Sequence, residues 1–80
     1  MRLGGQDDNA QQLIAIGAAI RACRRVQGIS QEELAYKAEI DRSHMGKIER
    51  GERNVSVLNL IRICAALQTL PSKILAAANC

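Results

Sequence analysis

The residue types best suited to binding chemistry are concentrated in one short stretch of the chain. Its polar residues are long, basic or small, and they recur at intervals of three and four positions: Arg42, Ser43, Gly46, Lys47 and Arg50. On an α-helix this spacing places them on one face, without aliphatic residues among them. Such a face suits insertion into the major groove of double-stranded DNA, where side chains hydrogen-bond to base edges. A solvated helix face has the same composition, so the pattern alone leaves both interpretations open.

Catalysis and metal binding have little support in the sequence. The one histidine, His44, lacks a matched base or nucleophile, because helical geometry directs its neighbours Asp41 and Ser43 away from one another. The cysteines are odd in number and widely spaced, unlike a zinc site or a disulfide framework: Cys23, Cys64 and Cys80. We therefore expect the thiols to be reduced, and we expect no enzymatic activity, no metal and no other cofactor. A redox role for the terminal Cys80 is the weaker alternative.

The composition favours helices and narrows the choice of partner. The chain of 80 residues contains 12 Ala, nine Ile and eight Leu, but only three Val, one Tyr and neither Phe nor Trp. Ala and Leu lose little entropy in a helix, and the aromatic residues that strands favour are nearly absent. The lack of rings also argues against single-stranded nucleic acid and RNA loops, whose bases stack on aromatic side chains. The formal charge of +3 suits a polyanionic partner.

Hydrophobic periodicity predicts five short helices in one domain, residues 9–80, preceded by a flexible N-terminal tail, residues 1–8. The first helix begins with Asn9 as a cap and ends between Val26 and Gly28. Residues typical of helix starts precede or open the other four: Ser30, Asp41, Ser56 and Pro71.

The inner stripe of each helix predicts the core. For the first three helices the expected core residues are Leu13, Ile16, Ile20, Cys23, Leu34, Ala35, Ala38, Met45 and Ile48. For the fourth helix they are Val57, Leu60, Ile63, Cys64 and Leu67, and the apolar residues of the fifth helix are Ile74 and Leu75. Only three residues separate the second helix from the third, so these two helices should cross steeply, with Ile40 pointing inward from the turn.

The run GISQEELAYKAEIDRSHMGKIERGERNVSVLNLIRICAAL resembles the Xre/Cro-type helix-turn-helix family of phage repressors and restriction-modification controller proteins. The resemblance extends from about Ile20 to Leu75. Its motifs are Ile-Arg in the first helix, Ser-Gln-Glu-Glu-Leu-Ala at the second, Ile-Glu-Arg-Gly closing the third and Asn-Val-Ser leading into the fourth. The resemblance implies an all-α, five-helix, lambda-repressor-like fold and a sequence-specific transcriptional regulator that binds double-stranded DNA through the helix-turn-helix of helices two and three.

The resemblance also implies roles for single residues. Those that match the family's base-reading positions are Arg42, Ser43 and Lys47. Those that match positions near the sugar-phosphate backbone are Gln31, His44, Arg50, Arg53 and Asn54. The family pairs the Glu of its Ile-Glu-Arg-Gly motif with an Arg at the end of the first helix, which implies an ion pair between Glu49 and Arg24. The family's frequent turn glycine is replaced here by Glu39.

The fourth and fifth helices carry more apolar surface than one small core requires. Packing under Leu13 and Ile14 of the first helix would cover part of it. A homodimer is the preferred explanation, because a small chain needs additional burial and because two recognition helices about 34 Å apart read a near-palindromic operator. The interface residues expected on this basis are Leu58, Ile61, Leu70, Ile74 and Leu75.

A helical protein-interaction adaptor that does not read DNA is the alternative function. It has no need for basic side chains along one edge of the third helix, so the regulator is preferred. The longest mostly apolar run, residues 13–20, is too short to span a membrane, and the first residues do not resemble a signal peptide. We therefore expect a soluble cytoplasmic protein without a small-molecule substrate.

Overall fold

Five helices account for most of residues 6–80, the part of the chain that the computed structural model describes, with side chains from residue 9 onward. They are α1 (Gln6–Val26), α2 (Gln31–Ala38), α3 (Arg42–Arg50), α4 (Val57–Ala66) and α5 (Pro71–Ala77), and this part of the chain contains no strand. The predicted all-α, five-helix architecture is confirmed. The predicted tail at residues 1–8 lies outside the described residues except where α1 has already begun. Since α1 begins at Gln6, Asn9 lies inside the helix and the prediction that it caps α1 is wrong.

The helix boundaries follow from local hydrogen bonds. Ser30 Oγ accepts a hydrogen bond from the Glu33 amide at 2.9 Å, and Ser56 Oγ accepts one from the Asn59 amide at 3.0 Å. Each bond satisfies one of the free amides in a first helical turn. Gly28, with φ 71°, turns the chain after α1 in the left-handed conformation that glycine tolerates best. The caps at Ser30 and Ser56 and the end of α1 before Gly28 agree with the sequence prediction.

The turn between α2 and α3 sets the relative placement of the two helices. Glu39 adopts the left-handed conformation, with φ 58° and ψ 42°, and the Ile40 amide donates to the Ala35 carbonyl at 2.9 Å. This bond closes the end of α2 and directs the Ile40 side chain into the core, where it is 8% exposed. A non-glycine residue in this conformation costs on the order of 1 kcal/mol.

The core lies where the inner faces of all five helices meet. Its buried apolar residues are Ile20, Leu34, Ala35, Ala38, Ile40, Met45, Ile48, Leu60, Ile63, Cys64, Leu67 and Ile74. Ile16, Cys23 and Leu75 pack against them and are partly buried. The prediction that Val57 is a core residue is wrong: it is 75% exposed, because it is the first residue of α4 and the inward face of that helix begins at Leu60.

Two glycines allow α1 to approach α3 closely. A Cβ at Gly17 would lie 2.5 Å from the carbonyl oxygens of Ile48 and Glu49, and one at Gly51 would lie 2.6 Å from Ile14 Cα. These distances leave no space for a side chain, so backbone packs directly on backbone. α1 packs on α3 and α5, and α2 packs on α3 and α4. The inner side of α3 is therefore supported by two helices.

No single helix among the described residues is both long and apolar enough to cross a lipid bilayer. α4 and α5 taken together reach the required length and composition, but they are bent by 99° relative to each other.

Candidate nucleic-acid interface

One side of α3 faces outward and forms the floor of a shallow depression of about 320 Å³, which we call the α3 groove. Its lining residues are Gln31, Arg42, Ser43, Gly46, Lys47 and Arg50. Of the expected base-reading residues, Arg42 and Ser43 are exposed and Lys47 is half-buried. The structure thus brings the three expected base-reading residues together with two of the five expected phosphate-binding residues.

The N-terminus of α3 is organised by Asp41. Its carboxylate accepts hydrogen bonds from the Ser43 hydroxyl at 2.6 Å and from the amides of Ser43 and His44 at 3.1 and 3.4 Å. The Ser43 hydroxyl bond, followed by the two amide bonds, lowers the pKa of Asp41. The Ser43 hydroxyl uses its proton in the bond to Asp41, but the lone pairs of its oxygen remain free. This oxygen can therefore accept a hydrogen bond from the amino group of a base.

Glu49 lies behind the α3 groove at the junction of α1, α2 and α3. Its carboxylate is fully buried and accepts two hydrogen bonds from Arg24, from Nε at 2.9 Å and from Nη2 at 3.0 Å. Gln31 Nε2 donates to the same carboxylate at 3.1 Å, and Arg21 Nε lies 3.5 Å from it. This arrangement contains the pair that the family resemblance implies, with the Glu49 side chain fully buried and with Gln31 as an additional partner.

The charge of Glu49 is stabilised by these donors. Burial by itself would raise the pKa of Glu49, but hydrogen bonds from Arg24 and Gln31 and the Arg24 charge hold it below its ordinary value. The ionised carboxylate therefore persists inside the protein. It joins three helices and fixes the orientation of the Gln31 amide beside the α3 groove.

Gly46 lies in the middle of α3 and is buried, although the sequence placed it on the outer face. The cause is that Gln31 and Arg50 reach across it: a Cβ at Gly46 would lie 3.3 Å from Gln31 Oε1 and 3.1 Å from Arg50 Nη1. The missing side chain thus makes room for two polar groups above the helix backbone. The sequence revealed the glycine but not what covers it.

Arg50 is held by a residue that the sequence analysis did not single out. Arg50 Nε and Nη2 donate to the two carboxylate oxygens of Glu52 at 2.8 and 3.3 Å, and both side chains are about half exposed. The hydrogen bond to Glu52 and its charge raise the pKa of Arg50, and the same hydrogen bond lowers the pKa of Glu52. The sequence feature that could have predicted this pair is the spacing of Arg50 and Glu52, which are only two residues apart.

The remaining expected phosphate-binding residues lie beside the groove and do not line it. His44 is half-buried on α3, whereas Arg53 and Asn54 are exposed in the loop between α3 and α4. Asn54 lines a separate depression together with residues of α1. Within the described residues, His, Cys, Asp and Glu side chains form no group of three that could hold a metal ion.

An apolar patch lies on α4 and on the segment that leads into α5. Leu58, Ile61 and Leu70 are 57%, 48% and 57% exposed, respectively, and we call these three residues the α4 patch. The prediction that Ile74 belongs to an exposed interface is wrong, because its side chain is only 4% exposed and lies in the core. Helix α1 packs on α5, but the alternative cover by its residues Leu13 and Ile14 still leaves the three residues of the α4 patch about half exposed.

Comparison with known proteins identifies relatives along most of the chain. The helix-turn-helix family matches residues 20–74. The control protein C.SmaI of Serratia marcescens is 39% identical over 56 residues, which cover 70% of this chain and 67% of that protein.

Solved structures give the same result for the fold. The restriction-modification controller protein C.AhdI of Aeromonas hydrophila superposes with a TM-score of 0.76 at 40% identity, covering 78% of this chain and 94% of that one. The controller protein C.Esp1396I, solved as a tetramer in complex with its natural 35 base-pair operator, superposes with a TM-score of 0.77 at 29% identity, covering 85% and 90% of the two chains.

Proposed function

Because the chain belongs to the helix-turn-helix family, as a transcription regulator of the restriction-modification controller type, we propose that it binds a near-palindromic operator as a homodimer with α3 in the major groove. The observation that carries the proposal is the open α3 groove, where Arg42 and Ser43 are exposed and Lys47 is half-buried along the lining. A DNA-binding fold whose recognition helix was sealed by its own chain would not support it.

Base reading is assigned to the N-terminal half of α3. Arg42 and Lys47 are the long basic side chains that can donate to guanine O6 and N7, and each such contact supplies roughly 1–3 kcal/mol of discrimination. Ser43 offers an acceptor oxygen, since its proton is engaged by Asp41. Gly46, between them, is covered by Gln31 and Arg50 and is assigned no base contact.

Phosphate binding is assigned to the residues around the groove: Gln31, His44, Arg50, Arg53 and Asn54. Gln31 opens α2, where the free amides of the first turn also attract an anion. Arg53 and Asn54 extend the surface into the loop before α4. These contacts set affinity and register on the duplex rather than sequence preference.

Dimerisation is assigned to the α4 patch together with Leu75, which is partly buried. An apolar surface of this kind is stabilised when it is covered, and a twofold interface places two copies of α3 about 34 Å apart, one turn of B-DNA. The operator complex of C.Esp1396I contains four copies of that protein, which supports binding by more than one copy. The bacteria that encode such relatives keep their DNA in the cytoplasm, so we infer a cytoplasmic location. The proposal requires no cofactor or small-molecule substrate.

Selection from random double-stranded oligonucleotides, followed by sequencing of the retained fraction, tests the proposal. The expected result is a consensus of two inverted half-sites separated by about one helical turn. A consensus with a single half-site would support base reading and contradict the dimer. The absence of any enriched sequence would contradict the regulator and favour the adaptor.

A further inference from the structure

Arg50 is held from one side, by Glu52, at the edge of the α3 groove. Its Nε and Nη2 atoms donate to Glu52, and its Nη1 atom lies over Gly46, 3.1 Å from where a Cβ would be. The guanidinium group therefore has one edge engaged by a carboxylate and the other edge directed into the groove. An exposed arginine without such a partner samples many rotamers.

The bidentate contact restricts the guanidinium in a way that a point charge would not. Two parallel hydrogen bonds fix the plane of the group as well as its position. Glu52 belongs to the loop after α3, and its amide donates to the Lys47 carbonyl at 2.8 Å, so its own backbone is anchored to the end of that helix. The backbone from which the Glu52 carboxylate extends toward Arg50 is thus fixed.

We propose that Glu52 is a positioning residue for DNA binding, which holds Arg50 over Gly46 so that the Nη1 edge faces a phosphate of the bound duplex. The inference rests on the proposed function and goes beyond it, since Glu52 carries a charge that by itself repels DNA. Glu52 favours DNA binding only through Arg50. The Arg50 side chain loses its rotamer entropy before the protein binds DNA and not during binding. Gly46 contributes to this arrangement, because a side chain at this position would crowd Arg50 Nη1.

The first experiment measures affinity for the duplex recovered by selection and for a scrambled duplex of the same length. The variants are Glu52→Gln, Arg50→Ala and the double variant, and the matched control is Glu33→Gln. Glu33 is also an exposed acid paired with a cation, since its carboxylate lies 3.3 Å from Lys37 Nζ, and it does not line the α3 groove. Relative to Glu33→Gln, we expect Glu52→Gln to weaken binding to the selected duplex about 2- to 10-fold, the cost of ordering one long side chain. In the Arg50→Ala background, Glu52→Gln should cause no such loss.

The second experiment observes Arg50 in the free protein. NMR relaxation of the Arg50 Nε–H group should show a rigid side chain in the wild type and a mobile one in Glu52→Gln, and Gly46→Ala should shift the same resonance. A side chain equally rigid in wild type and Glu52→Gln would overturn the proposal without reference to DNA.

The outcomes separate this inference from the proposed function. If the wild type prefers the selected duplex while Glu52→Gln binds like Glu33→Gln, the positioning role is wrong and the regulator stands. If Glu52→Gln changes affinity equally with and without Arg50, Glu52 acts directly on DNA, which also overturns the role. If the wild type does not distinguish the two duplexes, the proposed function itself fails.

Discussion

At the scale of single residues, the buried carboxylate of Glu49 links stability to pH. Burial would raise the pKa of Glu49, yet the donors Arg24 and Gln31 keep it below the ordinary value of 4.5. In acid the unfolded chain therefore binds a proton more readily than the folded one. The stabilisation from Glu49 is complete above pH 4.5 and is lost as the pH falls through the lowered folded-state pKa.

We predict that the wild type is more stable than Glu49→Gln near neutral pH and that the difference shrinks in acid. Urea unfolding at a series of pH values measures it. Glu33→Gln serves as the control, since its exposed pair with Lys37 contributes little. A difference between wild type and Glu49→Gln that stayed constant below pH 4.5 would contradict the assigned pKa direction.

Arg42 and Arg53 separate base reading from phosphate binding at the same scale. We expect Arg42→Ala to reduce the preference for the selected duplex over a scrambled one by roughly 1–3 kcal/mol. Arg53→Ala should weaken binding to both duplexes alike and lower the salt dependence by about one counterion. Fluorescence anisotropy at several salt concentrations measures both quantities. Equal, sequence-independent losses in the two variants would show that the assignment of readers and anchors is wrong.

At the scale of elements, the turn between α2 and α3 carries strain that the packing tolerates. Glu39 has φ 58°, a conformation in which its Cβ is unfavourable, yet the turn is stabilised by the Ile40 amide bond to Ala35 and by the burial of Ile40. The backbone conformation of Glu39 is therefore determined by tertiary contacts and not by the intrinsic backbone preference of the residue.

We predict that Glu39→Gly stabilises the protein by up to about 1 kcal/mol, because glycine adopts this conformation without strain. Gly28→Ala is the reverse control: φ is 71° there and nothing lies within 4 Å of the added Cβ, so its cost is purely conformational. Thermal unfolding compares the two. A destabilised Glu39→Gly variant would show that the Glu39 side chain contributes more than its strain costs.

At the scale of the whole molecule, the α4 patch is an apolar surface that the described residues leave exposed. We predict that Ile61→Asp yields monomers in sedimentation equilibrium under conditions in which the wild type is dimeric. An aspartate buried in an apolar interface without a partner costs several kcal/mol, enough to dissociate it. Ile61 is 48% exposed and does not belong to the buried core cluster.

Two controls make this prediction specific. Val26→Asp, at a residue 87% exposed on α1 and outside the α4 patch, should leave the mass unchanged. Ile74→Asp should unfold the protein, because Ile74 lies in the core, so loss of the dimer in that variant would say nothing about the interface. A dimeric mass for Ile61→Asp would place the interface on another surface.

The sequence alone determined that the chain forms five helices and where α2, α3 and α4 begin. Ser30, Asp41 and Ser56 cap helices through bonds to amides two or three residues away, and such bonds depend only on local order. The inner stripes of α2 and α3 were predictable for the same reason, since helical periodicity places their apolar residues on one face. The basic outer face of α3 follows from that same periodicity.

Only the tertiary structure decided which side chains are covered and which polar groups meet. Ile74 lies in the core, Val57 is exposed and Gly46 is covered by Arg50, and none of these follows from a residue's own neighbours. The contact between Gln31 and Glu49 joins residues 18 positions apart. Burial and long-range pairing depend on how whole helices pack, and that packing is the sum of many weak contacts that no single stretch of sequence contains.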